Sequence, residues 1–323
     1  MDLSEDDMMQ SKREVLDDLE ELVEQLIDTH DKRREVWWPS DFFTGDADDR
    51  ETLRRNAKGM PHPARIGLVL SLITEEGLPH FHRVLATHLG EDSFWHKWNN
   101  LWTAEEDRHG VVLHDYCRES LILEPRALDQ LVFRYVRNGF NPDWEGDPYR
   151  VFVYTTLQER ATQYSHANTG KLAGNHEPRL ELILSRIASE EARHFAFYRQ
   201  VFAEILVRDP NQALYSASRI MPNLQMPGVD MPDFARFADV ARRAGIYGPR
   251  EYLEIVTDQI RFWKIESMTG LNEMGEKAQA KIMDIPARLK RLAELAEKRT
   301  RPQTFAFDIT FNTEFTVSEP DHG

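Results

Sequence analysis

The chain has 323 residues, of which 41% are hydrophobic and 29% charged, and a formal net charge of −15. This is the balance of a globular protein with a sizeable core, with no apolar run long enough to span a membrane and without the basic footprint that nucleic acid requires. A single cysteine, Cys117, excludes an intrachain disulfide, and the acidic stretch Met1 to Asp7 is unlike a basic targeting signal, so a cytoplasmic location is expected.

Nothing marks a second domain, so residues 1–323 are expected to form one, with 1–15 and 300–323 peripheral or tail-like. An amphipathic helix is expected around Leu16 to His30, leading through Lys32-Arg33-Arg34 into Trp37-Trp38-Pro39. Pro61-His62-Pro63 precedes a helix on which Leu68, Leu72, Glu75, Leu78 and His82 share one stripe. In the next, Trp98, Trp102, Glu106, His109 and Leu113 recur at helical spacing, and this helix ends near Cys117. A further helix runs from about Pro125 to Asn138, before a turn-rich break from Asn141 to Pro148. Phe152, Thr155, Glu159, Thr162 and His166 then form one helical face, and Leu184, Ile187, Glu191, His194 and Tyr198 another. Met221-Pro222, Met226-Pro227 and Met231-Pro232 read as a Pro-punctuated connector, and two or three helices fill Phe234 to Lys298. After Pro302, Phe305, Phe307, Ile309, Phe311 and Phe315 alternate largely with polar residues, as in a terminal hairpin or a tail pinned to the surface.

Within this order one pattern is written twice. Glu75 is followed 31 residues later by Glu106-x-x-His109, and Glu159 is followed 32 residues later by Glu191-x-x-His194. With 12 His in the chain, about one chance match to Glu-x-x-His is expected. Glu319-Pro-Asp-His322 is such a match, but its Pro prevents a regular helical pair. The other two lie on core-facing stripes, as do Glu75 and Glu159, so four helices point carboxylates inward. Several unpaired carboxylates in a core cost several kcal/mol per ion, and no comparable set of Lys or Arg shares those stripes. Two divalent cations would supply the missing charge, and an oxygen-rich donor set with two imidazoles suits iron or manganese. One Glu from each of two helices and Glu-x-x-His from two others is the known donor pattern of ferritin-like di-iron bundles, so the expected fold is all-α, a four-helix bundle with flanking helices.

The segments Thr74-Glu-Glu-Gly-Leu-Pro79, Trp102-Thr-Ala-Glu-Glu-Asp-Arg-His-Gly110, Gln158-Glu-Arg-Ala-Thr162 with Ser165-His166, and Glu190-Glu-Ala-Arg-His194 resemble the soluble acyl-acyl-carrier-protein desaturases, in order from about Trp37 to Leu292. The resemblance implies two irons held by Glu75, Glu106, His109, Glu159, Glu191 and His194, with Glu76, Glu105 and Glu190 as neighbours. It places Thr162 beside the oxygen-binding side of the irons. Its spacing from Glu159 puts it on the same helical face, although a helix Thr commonly bonds its own backbone instead. Trp37 and Trp102 match tryptophans near the cluster, the first an electron relay, whereas from the sequence alone both read as core aromatics. The family usually has Asp at the position of Glu190, and implicates it in the link between Trp and cluster. The basic run Lys32, Arg33 and Arg34 lies where the family presents cations to the acidic carrier, although such a run is also an ordinary helix end.

The implied reaction is the O2-dependent insertion of a double bond into a saturated acyl chain on acyl carrier protein, fed by a ferredoxin-type donor, in a homodimer. The same cluster on a differently placed substrate would hydroxylate or N-oxygenate. A non-catalytic iron-binding protein is the rival from another class, and the extra helices after Phe202 count against it.

Overall fold

The computed structural model describes residues 5–89, 93–140, 142, 144, 146–298 and 301–318. The chain opens with α1 (Glu5–Asp17) and α2 (Glu20–Arg33) where one helix from Leu16 was expected. The break at Asp18-Leu19 is a tight turn, Leu19 N–H donating to Leu16 O at 3.0 Å, and it lets Leu16, Leu19 and Val23 all reach the core. In the segment expected to be peripheral, Lys12 is buried and pairs with Asp147 at 2.8 Å.

After α3 (Ala47–Lys58) come the elements that carry the doubled pattern: α4 (His62–Glu75) continued by α5 (Leu78–His88), α6 (Phe94–Ser120), then, after α7 (Pro125–Asn138), α8 (Pro148–Gly174) and α9 (Pro178–Arg208). The stripe from Leu68 to His82 was expected on one helix. Instead the chain breaks at Glu76-Gly77, because the Pro79 ring cannot continue the helix through the carbonyl four residues before it. Gly77 is required there, since a Cβ would come within 2.5 Å of the Tyr135 hydroxyl. The Glu106 helix runs three residues beyond Cys117, to Ser120, and ends on Leu121 in the left-handed conformation.

The long helices begin on polar caps: the Ser93, Asp147 and Glu177 side chains accept backbone N–H groups at the starts of α6, α8 and α9, the last two with Pro in the first turn. α8 is buried on nearly all faces from Pro148 to Ala173, which makes it the central helix. It packs lengthwise on α9, α4 lies against both α6 and α8, and α6 meets α9. The approach of α4 to α8 depends on Gly67, where a Cβ would fall 2.5 Å from Thr169 Oγ1.

The remaining helices are α10 (Pro210–Ile220), α11 (Phe234–Arg243), α12 (Pro249–Phe262), α13 (Glu273–Met283) and α14 (Ile285–Lys298). Four of them, rather than two or three, fill the stretch from Phe234 to Lys298, since Gly248-Pro249 and the Asp284-Ile285-Pro286 step each start a new helix. They cover the bundle: α11 on α4, α12 on α8, and α10 on α8 and α9. The C-terminal alternation forms a hairpin of β1 (Gln303–Phe305) and β2 (Phe315–Val317), antiparallel with Phe305 opposite Phe315. Phe305, Phe307, Ile309 and Phe315 are buried, whereas Phe311 is exposed because the chain turns there at φ 58°. Glu319 to His322 lies outside the described residues. Among the described residues no helix is long and apolar enough to cross a membrane.

Candidate metal centre

Glu-x-x-His on a helix puts both side chains on one face, so Glu106 and His109 project from α6 toward Glu191 and His194 from α9. Glu75 enters from the last residue of α4 and Glu159 from the middle of α8. All six are buried, His109 and His194 completely.

The donors fall into two groups of four: Glu75, Glu106, His109 and Glu191, and Glu106, Glu159, Glu191 and His194. Glu106 and Glu191 belong to both, and each divides its oxygens between them. Glu106 Oε2 lies 3.4 Å from His109 Nδ1 while its Oε1 lies 2.7 Å from His194 Nδ1. Glu191 Oε1 lies 3.5 Å from His109 Nδ1 and its Oε2 3.9 Å from His194 Nδ1. Glu75 reaches only the His109 side, at 3.6 Å, and Glu159 only the His194 side, at 3.8 Å. Glu106 Oε1, Glu191 Oε2 and both Nδ1 atoms are buried without a hydrogen-bond partner. Orphaned buried donors and acceptors facing one another, oxygen-rich with two imidazoles, fit a site for divalent cations.

The electrostatics are those of crowded like charges. Burial, and then repulsion from Glu191, push the Glu106 and Glu159 carboxyls up. Burial also acts to raise Glu75 and Glu191, but the facing imidazoles outweigh it and hold both below the ordinary range, His109 and His166 acting on Glu75, His109 and His194 on Glu191. Burial disfavours charge on His109 and His194, yet the surrounding carboxylates hold both well above the usual histidine range.

A second layer orients the imidazoles crosswise. Glu190, beside Glu191 on α9, has its Oε2 2.9 Å from His109 Nε2 on α6. Glu105, beside Glu106 on α6, has its Oε2 2.9 Å from His194 Nε2 on α9 and 2.9 Å from His30 Nε2 on α2. With Nε2 held on the outer carboxylates, each Nδ1 faces the centre. Burial raises the Glu105 carboxyl, but hydrogen bonds from His194 and His30 outweigh this and hold it far below the carboxylate range. Guanidinium groups complete the layer, Arg108 and Arg193 on Glu190 Oε1, and Arg34 at 3.7 Å from Glu105 Oε1. Two donor carboxylates are also fixed, Glu159 by the Trp102 Nε1–H at 3.1 Å and Glu75 by His166 Nε2 at 2.9 Å.

The fatty acid desaturase family profile matches residues 11–311. The chain belongs to that family. This desaturase is 33% identical to the chloroplastic acyl-[acyl-carrier-protein] desaturase of Cucumis sativus, over 93% of this chain and 83% of that one. It is 34% identical to the chloroplastic stearoyl-[acyl-carrier-protein] 9-desaturase of Ricinus communis, over the same shares. Its fold is similar to the crystal structure of DesA2 from Mycobacterium tuberculosis H37Rv, with a TM-score of 0.60 at 19% identity, covering 82% of this chain and 98% of that one.

The sequence-derived residues of the desaturase do not all converge. Thr162 is buried one turn beyond Glu159, and its hydroxyl donates to the backbone carbonyls of Gln158 and Glu159, at 3.1 and 3.0 Å. Trp37 stacks on His109, ring centroids 6.2 Å apart and nearly parallel. Its Nε1 is buried without a partner, and Glu190 is taken up by His109, Arg108 and Arg193, so no direct Trp37–Glu190 hydrogen bond forms. Arg108 joins the two instead, donating to Trp37 O and to Glu190 Oε1 at 3.0 Å each. Lys32 and Arg33 are exposed, whereas Arg34 is turned inward to Asp31 and Glu105. Sequence reasoning took Glu105 and Glu190 as neighbours of the ligands, Glu190 as a relay residue only, and gave His30, His166 and Arg108 no role. The signal was present, because both units read Glu-Glu-x-Arg-His.

Proposed function

We propose that this chain desaturates a saturated fatty-acyl chain carried on acyl carrier protein. The observation that carries the reading is the pair of four-donor groups sharing Glu106 and Glu191, beside a mainly apolar cavity that begins at Thr162 and His166. Glu75 and His109 would hold one iron and Glu159 and His194 the other, with Glu106 and Glu191 between them. When bound, a pair of irons supplies the reduction of O2 and the removal of hydrogen from an unactivated methylene. The reaction balances as one acyl CH2–CH2, one O2, two electrons and two protons giving one CH=CH and two waters.

The cavity of about 520 Å³ begins at Thr162, Ser165 and His166 on α8 and runs outward between α4, α11, α12 and α14. Its walls are mainly apolar, with Leu70, Met226, Phe234, Leu289 and Leu292 among them. The Met-Pro connector thus does more than join helices, since Pro222, Met226 and Pro227 form part of this wall. An apolar chain has no charged group to anchor, so the shape of such a cavity selects which carbon–carbon bond is presented. Thr162 stands at its inner end, with its proton given to the backbone and its oxygen still able to accept. Electrons from a ferredoxin-type donor would enter by Trp37, whose ring lies on His109, with Arg108 and Glu190 linking the two. Lys32 and Arg33 offer the acidic carrier an exposed positive pair. A homodimer and a cytoplasmic setting are part of this proposal.

The test is anaerobic reduction of the iron-loaded protein followed by O2, with acyl chains of several lengths on acyl carrier protein and on coenzyme A, and mass spectrometry of the lipid. A product two hydrogens lighter supports the reading. A product one oxygen heavier assigns hydroxylation instead, and iron bound with no lipid changed leaves only iron binding.

A further inference from the structure

A second opening reaches the buried centre from the side of α6. It is a groove of about 420 Å³ between the α4–α5 junction and α6, with Glu75 and Glu106 in its wall. Farther inside, a void of about 10 Å³ shares Glu75, Leu78 and Glu106 with the groove and adds Trp102 and Glu191. That is close to the smallest space that holds one water molecule, and only the side chains common to both, Glu75, Leu78 and Glu106, stand between the groove and the donor groups. Glu106, which is 7% exposed, carries a buried Oε1 with no hydrogen-bond partner.

The groove is charged unlike the apolar cavity. Asp107, Asp115 and Glu76 join Glu75 and Glu106 in its wall, against a single guanidinium, Arg118. Glu76 and His114 pair with each other in its wall, Oε1 and Nε2 2.6 Å apart, each about one fifth exposed. On α6, Glu106, Gly110 and His114 follow at four-residue spacing, so floor, middle and rim share one helical row. Gly110 leaves the middle of that row open. A Cβ there would meet Glu75 Cβ and Glu76 Oε1 only at 3.8 Å, so a longer side chain would extend into the groove. In the apolar cavity, by contrast, Asp239 is already paired with Arg242 and Arg243.

We propose that this groove is the uptake route for divalent cations, with Glu76 and His114 as the rim site that takes the ion from water and passes it to Glu75 and Glu106. A carboxylate and an imidazole are competent oxygen and nitrogen donors for such an ion. A cleft lined by one sign of charge between low-dielectric walls raises the local concentration of the opposite ion. The inference rests on reading the six buried side chains as metal donors, and the test separates the two.

Metal-free protein is mixed with Co2+ alone, and the growth of its ligand-field absorption is followed by stopped flow, with the final Co2+ content measured separately. Gly110→Leu should slow loading by about tenfold, and Glu76→Gln by about threefold with a weaker dependence on salt, both reaching the wild-type final content. Leu is a better helix former than Gly at an open position, and Glu76→Gln changes one partly exposed group, so at least one variant reports on a folded protein. Ala238→Leu, in the wall of the apolar cavity, should load at the wild-type rate. Wild-type rates in both groove variants, or slow loading in Ala238→Leu alone, would overturn the route. Failure of the wild type to take up about two Co2+ per chain would overturn the reading of the donors instead.

Discussion

Glu105→Gln tests the crosswise second layer. The substitution keeps size and shape but removes the charge from a carboxylate that is 2% exposed and has two imidazole nitrogens at 2.9 Å. Buried hydrogen bonds to a charged group contribute about 1.5–3 kcal/mol each, and the amide oxygen retains part of one, so the metal-free protein should lose roughly 2–3 kcal/mol at neutral pH. Folding lowers this carboxyl's pKa, so its contribution is present above the usual carboxylate range and lost only as pH falls toward the depressed folded value. The gap between wild type and variant in urea unfolding should therefore be full at neutral pH and shrink on acidification. Metal affinity, read by competition with a chelator, should fall about 10–100-fold because His194 loses the partner that fixes its ring. Equal affinity, with an unchanged unfolding midpoint, would refute the claim that Glu105 positions His194.

Metal loading should release protons, because folding raises His109 and His194 well above the usual histidine range and a cation needs their nitrogens free; affinity should then rise with pH, and indicator dye in weak buffer with no colour change would count against it. Thr162→Val should keep full metal content while lowering product formed per O2 consumed, and unchanged coupling would leave Thr162 with its backbone bonds alone. Lys32→Glu with Arg33→Glu should raise KM for the acyl-carrier substrate about tenfold at low salt, equivalent to ~1.4 kcal/mol, with iron content unaltered; a constant KM would move the docking surface elsewhere. Arg34→Glu should behave differently and weaken metal binding as well, because its guanidinium faces Glu105.

What the sequence determined by itself was whatever follows from periodicity and donor chemistry. Helical spacing placed Glu75, Glu106, His109, Glu159, Glu191 and His194 on inward stripes, and the cost of burying carboxylates without cations argued for metal before any contact was known. Punctuation was legible where Pro and a cap coincide, as at Pro125 and Asp147-Pro148. Breaks set by burial rather than by local propensity were not, and the turn at Leu19, which lets Leu16, Leu19 and Val23 all reach the core, is of that kind. The tertiary structure alone decided partners. A carboxylate next to a ligand in sequence points a full 100° away around its helix, so Glu105 and Glu190 each serve the histidine of the other helix. For the same reason Arg34 turns from an expected docking surface toward Glu105, and Arg108 comes between Trp37 and Glu190. These pairings join residues 71–89 positions apart, and only the packing of α2, α6 and α9 brings them within hydrogen-bond reach.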